Sequence, residues 1–223
     1  GALVGGDVIF HDGSFFAASS RGDVGAFSTS GDAIWTRRTD RGVFSTPVIA
    51  DGSLVVADES GNVFALATRD GARKWSTRLP GRVRFAGLSE ADGFVFCVTY
   101  EGVLYALRSS DGGVAWSFSS GARSSSGAAP IRGGVAAAFA DGRLTAISSD
   151  GTRVIWEARL DGSPTTAIHE SAGRLILACG RKVYVVASVS GRIIRTAEAG
   201  ADLIAVRPLA DGGIAAVTET GVV

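Results

Sequence analysis

Short β-rich runs, which we interpret with a period of two rather than 3.6, occur along the whole chain, and turns rich in glycine separate them. In one representative stretch the runs are Ser53 to Ala57, Val63 to Leu66 and Arg73 to Ser76, with Asp-Gly and Ser-Gly turns between them. A period of two is typical of strands, and glycine turns suit tight hairpins because glycine adopts positive φ at little cost. The pattern therefore predicts units of four short antiparallel strands, which we call A to D.

These units repeat with a period of about 40 residues. The tryptophans are separated by 40, 41 and 40 residues and lie at Trp35, Trp75, Trp116 and Trp156. The segments GDVGAF, GNVFAL, GVLYAL and GRLTAI precede them, and a fifth copy, RKVYVV, begins at Arg181. A unit of four strands in about 40 residues is typical of a β-propeller blade.

The sequence thus predicts an all-β chain, a β-propeller of four-stranded antiparallel blades with five complete blades and a partial sixth. We expect residues 1–223 to form a single propeller segment, with blades at about 1–39, 40–79, 80–120, 121–160 and 161–199 and the partial blade at 200–223. Pro47, Pro130 and Pro208 are assigned to strand A, an edge strand, where a missing N–H costs little.

By the same period, the alanine and tryptophan of the last unit would fall beyond Val223. We therefore expect the chain to be a fragment of a ring of six to eight blades. An imperfectly closed ring is the alternative, and the sequence leaves it open.

Charge and hydropathy exclude several classes of protein. Arginine and lysine together number 22 and so do aspartate and glutamate, which argues against a nucleic-acid partner because such binding depends on neutralising phosphates. We find no apolar run near the ~18 residues needed to span a membrane, and no signal segment, within this chain.

The segments from Ala65 to Trp75 and from Ala106 to Trp116 resemble the tryptophan-docking motif of PQQ-like (BamB-type) repeats, Ala-x-Asp-x-x-x-Gly-x-x-x-Trp. Ala26 to Trp35 and Ala146 to Trp156 are looser copies. The resemblance implies that each tryptophan packs against the next blade near the motif's alanine. The implied docking residues are Trp35, Trp75, Trp116, Trp156, Ala26, Ala65, Ala106 and Ala146.

The copies also depart from the motif. The fifth copy has Val185 for the alanine and Arg195 for the tryptophan. No copy has the motif's aspartate, whose place is taken by Ser28, Ala67, Arg108, Ser148 and Ala187. We therefore expect the hydrogen bond of that side chain to be missing throughout.

The chemistry of the quinoprotein dehydrogenases in this superfamily is not expected here. The resemblance would call for calcium held by carboxylate and asparagine oxygens and for two adjacent cysteines. The only asparagine is Asn62, in a turn, and Cys97 and Cys179 lie two blades apart as buried thiols. His11 and His169 are assigned to turns between strands A and B. We predict no cofactor, no metal, no catalytic residue and no enzymatic activity.

One face of the predicted blades is rich in arginine. The candidate partner-binding residues are Arg37, Arg38, Arg41, Arg78, Arg82, Arg84 and Arg123, which follow strand D or lie near its end. Aspartates collect in the turns of the other face, where turn geometry alone accounts for them. Because arginine is favoured at protein interfaces, we expect the basic face to contact an acidic protein partner.

The resemblance implies a non-catalytic scaffold for protein–protein interaction, in a periplasmic or other extracytoplasmic setting, like the BamB-type partners of the outer-membrane assembly machinery. An extracytoplasmic sensor or ligand-binding domain of a larger receptor, such as a serine/threonine kinase, is the second hypothesis. The remnant of a PQQ-dependent dehydrogenase comes third. The sequence does not name the partner.

Overall fold

The computed structural model describes residues 7–83, 88–124, 126–218 and 220–222. These residues form 23 β-strands in six antiparallel sheets, and no helix occurs in those ranges. The chain divides into two compact units, residues 1–117 and 118–223. The predicted all-β propeller is confirmed: five sheets have four strands, and the last has three.

The first unit holds blades 1 to 3. Blade 1 consists of β1 (Ile9–His11), β2 (Ser14–Ala18), β3 (Asp23–Ser28) and β4 (Ala33–Arg38). Blade 2 consists of β5 (Val48–Ala50), β6 (Ser53–Ala57), β7 (Asn62–Ala67) and β8 (Arg73–Arg78). Blade 3 consists of β9 (Leu88–Ala91), β10 (Phe94–Val98), β11 (Val103–Arg108) and β12 (Val114–Ser119), whose last two residues belong to the second unit.

The second unit holds blades 4 to 6. Blade 4 consists of β13 (Ala128–Ile131), β14 (Gly134–Ala138), β15 (Arg143–Ser148) and β16 (Val154–Arg159). Blade 5 consists of β17 (His169–Ser171), β18 (Arg174–Cys179), β19 (Lys182–Ala187) and β20 (Ile193–Glu198). Blade 6 consists of β21 (Leu203–Pro208), β22 (Ile214–Thr218) and β23 (Gly221–Val222).

In every blade the strands follow one another in space as they do in sequence. Two-residue turns join A to B in the first three blades, where Asp12, Asp51 and Asp92 have φ of 45°, 45° and 53°. The following glycine is also left-handed, for example Gly13 with φ 73°. Two successive residues at positive φ define the turn type whose twist matches a β-hairpin, which is why Asp-Gly recurs at this point.

The cores lie between neighbouring blades rather than inside one. Between blades 1 and 2, Phe16 and Ala26 are buried with Leu54 and Phe64, and between blades 4 and 5 Leu144 is buried with Tyr184. Strands B and C supply these side chains because both of their faces are covered; β6 is buried at all five positions. A blade is therefore stabilised mainly by its neighbours.

Several details correct the sequence predictions. Pro130 and Pro208 lie in strand A, but Pro47 lies one residue before β5. His11 and His169 are strand A residues rather than turn residues. The missing aspartate does not leave every turn without a side-chain bond, because a serine hydroxyl accepts a backbone N–H in two blades: Ser28 Oγ from Asp32 N at 3.1 Å and Ser148 Oγ from Arg153 N at 3.2 Å.

Candidate functional site: docked tryptophans and a basic edge

Three tryptophans are anchored on the blade that follows their own. The indole N–H of Trp35 donates to Thr68 O at 2.8 Å, and that of Trp75 donates to Ser109 O at 2.8 Å. Trp156 donates to Ser188 O at 2.9 Å. Their exposed fractions are 6%, 8% and 9%, so a large apolar ring is buried and its polar atom is satisfied.

Each ring rests on a glycine of the receiving blade. A methyl group added at Gly71 would lie 2.7 Å from Trp35 Cε3, and one added at Gly191 would lie 2.5 Å from Trp156 Cε3. Gly112 is in the same relation to Trp75. All three glycines also have φ near +70° in the turn between strands C and D. The glycine is therefore the socket for the tryptophan, both because of its turn conformation and because no side chain fits beneath the ring.

The motif's alanines lie opposite their own tryptophans, and their role in docking stays a prediction. Ala26 is the cross-strand partner of Trp35 in the same blade, and Ala65 and Ala146 stand in the same way to their tryptophans, each pair followed by a β-bulge. All three are fully buried, as is Ala106. In the third blade Trp116 is half-buried, with its ring centroid 5.9 Å from that of Phe96.

Blade 5 receives a tryptophan and has none of its own. Arg195 pairs across the strand with Val185, in the register that tryptophan and alanine have elsewhere, and all six residues of β20 are exposed. A cavity of about 380 Å³ lies beside Arg195, between β20 and β22. Blade 5 nevertheless has Gly191, and the ring of Trp156 from blade 4 rests on that glycine.

The predicted partner-binding arginines lie in several environments. The guanidinium of Arg37 is turned toward blade 2, where Nε and Nη2 donate to Gly71 O and Asp70 O at 3.0 and 2.6 Å. Arg78 Nη1 donates to Ser60 Oγ and Asn62 Oδ1, both at 3.0 Å. These two arginines donate hydrogen bonds to their own chain, which the sequence did not indicate.

The other candidates that the structure describes are exposed, as Arg37 and Arg78 also are. Arg38 lies 3.7 Å from Asp23, and Arg82 lies 3.9 Å from Glu101 with its guanidinium 5.6 Å from the centre of the Tyr100 ring. Arg41 and Arg123 are exposed, and the backbone oxygen of each accepts a hydrogen bond. Arg84 lies outside the described residues. The acidic neighbours of Arg38 and Arg82 reduce the positive charge of this face, and its partner-binding role stays a prediction.

Sequence reasoning missed Arg73. Its guanidinium lies 5.4 Å above the centre of the Phe64 ring, and it lines a crevice together with Arg37 and Arg38. A signal was present in the outermost strands. In β4 and β8 every charged residue is basic, whereas β16 and β20 each combine an arginine with a glutamate.

The turn aspartates behave as turn residues. The backbone N–H of Ala72 and the Arg69 guanidinium lower the pKa of Asp70, and bonds from Ser148 and Thr152 lower the pKa of Asp150 to about 2. Among the described residues no group of three or more histidine, cysteine, aspartate or glutamate side chains is placed to hold a metal ion. Long apolar helices of the kind that cross membranes are likewise not found in the described part of the chain.

Both cysteines are free and buried. Cys97 lies in β10 and Cys179 in β18, which are strand B of blades 3 and 5. Burial raises the pKa of the Cys97 thiol to about 12 and that of Cys179 to about 11, with Asp161 adding to the effect at Cys179. Both thiols are therefore protonated and act as core residues.

The sheets, the 40-residue repeat and the docked tryptophans define a β-propeller built from PQQ-like repeats. A family model described as "Outer membrane protein assembly factor BamB" matches residues 5–220. The chain belongs to this family, and the predicted resemblance is confirmed.

Individual relatives agree with the family match. An outer membrane protein assembly factor BamB from Nitrosomonas eutropha is 35% identical over 108 residues, which are 47% of this chain and 26% of the relative. The BamB of Yersinia pestis is 30% identical over 164 residues, which are 66% of this chain and 42% of the relative. The matches thus span less than half the length of these relatives.

A solved structure is similar in fold. The crystal structure of BamB from Moraxella catarrhalis superposes with a TM-score of 0.65 at 17% identity, covering 99% of this chain and 94% of that one. At this identity the likeness concerns the fold alone.

Proposed function

We propose that this chain is a non-catalytic propeller scaffold that mediates protein–protein contacts during the assembly of outer membrane proteins, on the periplasmic side of the envelope. The observation that carries the proposal is the match of the BamB family model to residues 5–220, which includes every described strand except the last. The names of the curated relatives support it, since each is an assembly factor.

The docked tryptophans fit a scaffold. Each joins two blades through a buried ring and a hydrogen bond, so that the surface loops of those blades are presented from rigid sheets. Binding by a rigid surface loses less conformational entropy than binding by flexible segments. The buried protonated thiols belong to the same packed framework.

We further propose that the exposed arginines contact an acidic protein partner. Arg38, Arg41, Arg82 and Arg123 retain exposed side chains, whereas Arg37 and Arg78 are partly committed to their own chain. The predicted blade limits also stay a prediction; each described sheet falls within one of the six segments.

The test is removal of the protein that carries this chain from the organism that encodes it. We expect less folded β-barrel protein in the outer membrane, measured as heat-modifiable bands on gels and restored by the intact gene. Restoration should fail with Trp75→Ala, which removes a docking ring, and should succeed with Arg195→Ala at the equivalent position of blade 5. Unchanged β-barrel levels after removal would contradict the proposal.

A further inference from the structure

A polar crevice of about 220 Å³ lies in the first unit, where β4 of blade 1 meets β7 and β8 of blade 2. Three arginines line it, Arg37, Arg38 and Arg73, against one acidic residue, Asp40. Phe64 and Leu66 form an apolar wall. The crevice thus combines an excess of two positive charges with an apolar surface, although the whole chain has a net charge of zero.

The guanidinium of Arg73 is preorganised. It lies over the Phe64 ring at 5.4 Å, and Phe64 itself is only 8% exposed. Stacking on an aromatic face holds the guanidinium plane while its N–H groups, which lie at the edge of that plane, stay available to a ligand. Among the described residues no carboxylate lies within ion-pair distance of Arg73.

The other two arginines keep positive charge in the crevice by different means. Arg37 donates to three neutral backbone carbonyls, those of Thr36, Asp70 and Gly71, which fix its position, and within the described part of the chain no carboxylate forms an ion pair with it. Arg38 is 73% exposed, and the 3.7 Å separation from Asp23 is long for an ion pair. An exposed pair of this kind is weak, so Arg38 can exchange it for a better ligand at little cost.

We propose that this crevice binds the carboxylate of a glutamate or aspartate on a protein partner, held by Arg73 and Arg38. The planar guanidinium groups match a carboxylate in shape and donor geometry. Because Phe64 and Leu66 are only 8% and 6% exposed, they leave little free apolar surface. The choice of a protein carboxylate rests on charge complementarity with the excess of two positive charges in the crevice. This inference rests on the proposed scaffold function and assigns one site to it.

The test is a titration of the protein that carries this chain with an end-blocked peptide, Gly-Leu-Glu-Leu-Gly, observed through the arginine Nε–H resonances in NMR spectra. We expect the resonances of Arg73 and Arg38 to shift with the glutamate peptide and to stay in place with the matched glutamine peptide. In Arg73→Met the aliphatic stem is kept and the charge is lost. Affinity should fall at least about tenfold, the loss expected for one charge-assisted hydrogen bond.

Arg69→Met is the matched control. Arg69 is an exposed arginine of the same blade whose guanidinium faces Asp70 at 3.2 Å, outside the crevice lining. We expect this variant to bind the glutamate peptide as the wild type does, and equal thermal midpoints for both variants to show that each is folded.

Two results would overturn the proposal. One is equal response to the glutamate and glutamine peptides. The other is a shift of the same arginine signals by inorganic phosphate with none by the peptide, which would show an anion site without preference for protein carboxylates. Loss of β-barrel assembly on removing the protein is measured independently. A negative peptide titration would therefore contradict the carboxylate site without contradicting the scaffold function, and unchanged β-barrel levels would contradict the scaffold function without contradicting the carboxylate site.

Discussion

Trp35 of blade 1 and Arg195 of blade 5 occupy the same position of the outermost strand, each beside a β-bulge in the cross-strand register, yet their surroundings differ. Trp35 is buried on Gly71 of blade 2 and hydrogen-bonded to Thr68 O. Arg195 is exposed beside a cavity of about 380 Å³. The difference shows that the contact joins two blades. The tryptophan belongs to one blade, and the glycine on which its ring rests belongs to the next.

This division explains the degenerate fifth copy. Blade 5 has Val185 and Arg195 at the positions of the alanine and the tryptophan, and it has Gly191, on which Trp156 of the preceding blade rests. In such a repeat, the tryptophan of each copy should therefore be considered with the following blade and the glycine with the preceding blade.

The largest expected effect is the loss of a docked ring. Trp75→Ala removes a side chain that is 8% exposed, together with its bond to Ser109 O, and leaves a cavity between blades 2 and 3. We expect the free energy of unfolding to fall by about 3–5 kcal/mol in urea titrations followed by circular dichroism. Arg195→Ala, the matched change in blade 5, should alter it by no more than about 0.5 kcal/mol. A similar fall in the free energy of unfolding for both variants would show that the docked ring of Trp75 does not stabilise the protein more than Arg195 does.

The next effect concerns the sockets. Gly71→Ala places a methyl group against Trp35, whereas Gly31, in the corresponding turn of blade 1, has no atom within 4 Å of an added methyl group. Both glycines have positive φ, 68° and 91°, so both variants carry backbone strain. We expect Gly71→Ala to cost about 1–3 kcal/mol more than Gly31→Ala in the same titrations, because only it overpacks an interface. Equal costs would mean that the turn conformation alone requires glycine.

A smaller difference separates the two thiols. Raised pKa values of about 12 for Cys97 and about 11 for Cys179 leave little reactive thiolate at pH 8. Cys179 is 7% exposed and has the less strongly raised pKa, whereas Cys97 is fully buried, so Cys179 should react faster than Cys97 with a thiol reagent in the folded protein. Mass spectrometry of labelled peptides measures the two rates, and both should rise toward a common value in urea. Faster labelling of Cys97 would contradict the packing described for blade 3.

The smallest effect is local to one turn. Ser148→Ala removes a hydroxyl that donates to Asp150 at 2.5 Å, so the pKa of Asp150 should rise from about 2 toward its ordinary value of 3.8. Since the folded pKa lies below the unfolded one, these bonds stabilise the folded chain above pH 3.8, and the contribution is lost as the pH falls toward 2. NMR titration of the Asp150 carboxyl carbon follows the shift; Ser30→Ala in the corresponding turn of blade 1 is the control and should leave Asp150 unchanged.

The fold was accessible from the sequence because its markers are local and repeated. The Asp-Gly turns, the short β-rich run Ser53–Ala57 and the spacing of the tryptophans are visible in the sequence alone, and β6 begins and ends where that run does. The prolines assigned to strand A were predicted from the same local markers, except that Pro47 lies one residue outside its strand.

The site was less accessible because it depends on contacts between blades. The socket role of Gly71 and the stacking of Arg73 on Phe64 join residues of different strands whose register a linear pattern does not give. For the same reason the sequence could not show that Arg37 turns toward the carbonyls of the next blade instead of toward solvent. The excess of basic residues in β4 and β8 was the available signal, and it points to the crevice only once the two strands are placed side by side.

If docked tryptophans join the blades into a rigid scaffold, their indole N–H groups exchange slowly with solvent, which NMR spectra measure once the signals are assigned with single Trp→Phe variants. We expect strong protection for Trp35, Trp75 and Trp156, whose N–H groups donate to backbone carbonyls of the following blade. Exchange of these three groups as fast as that of a free indole in the folded protein would contradict it.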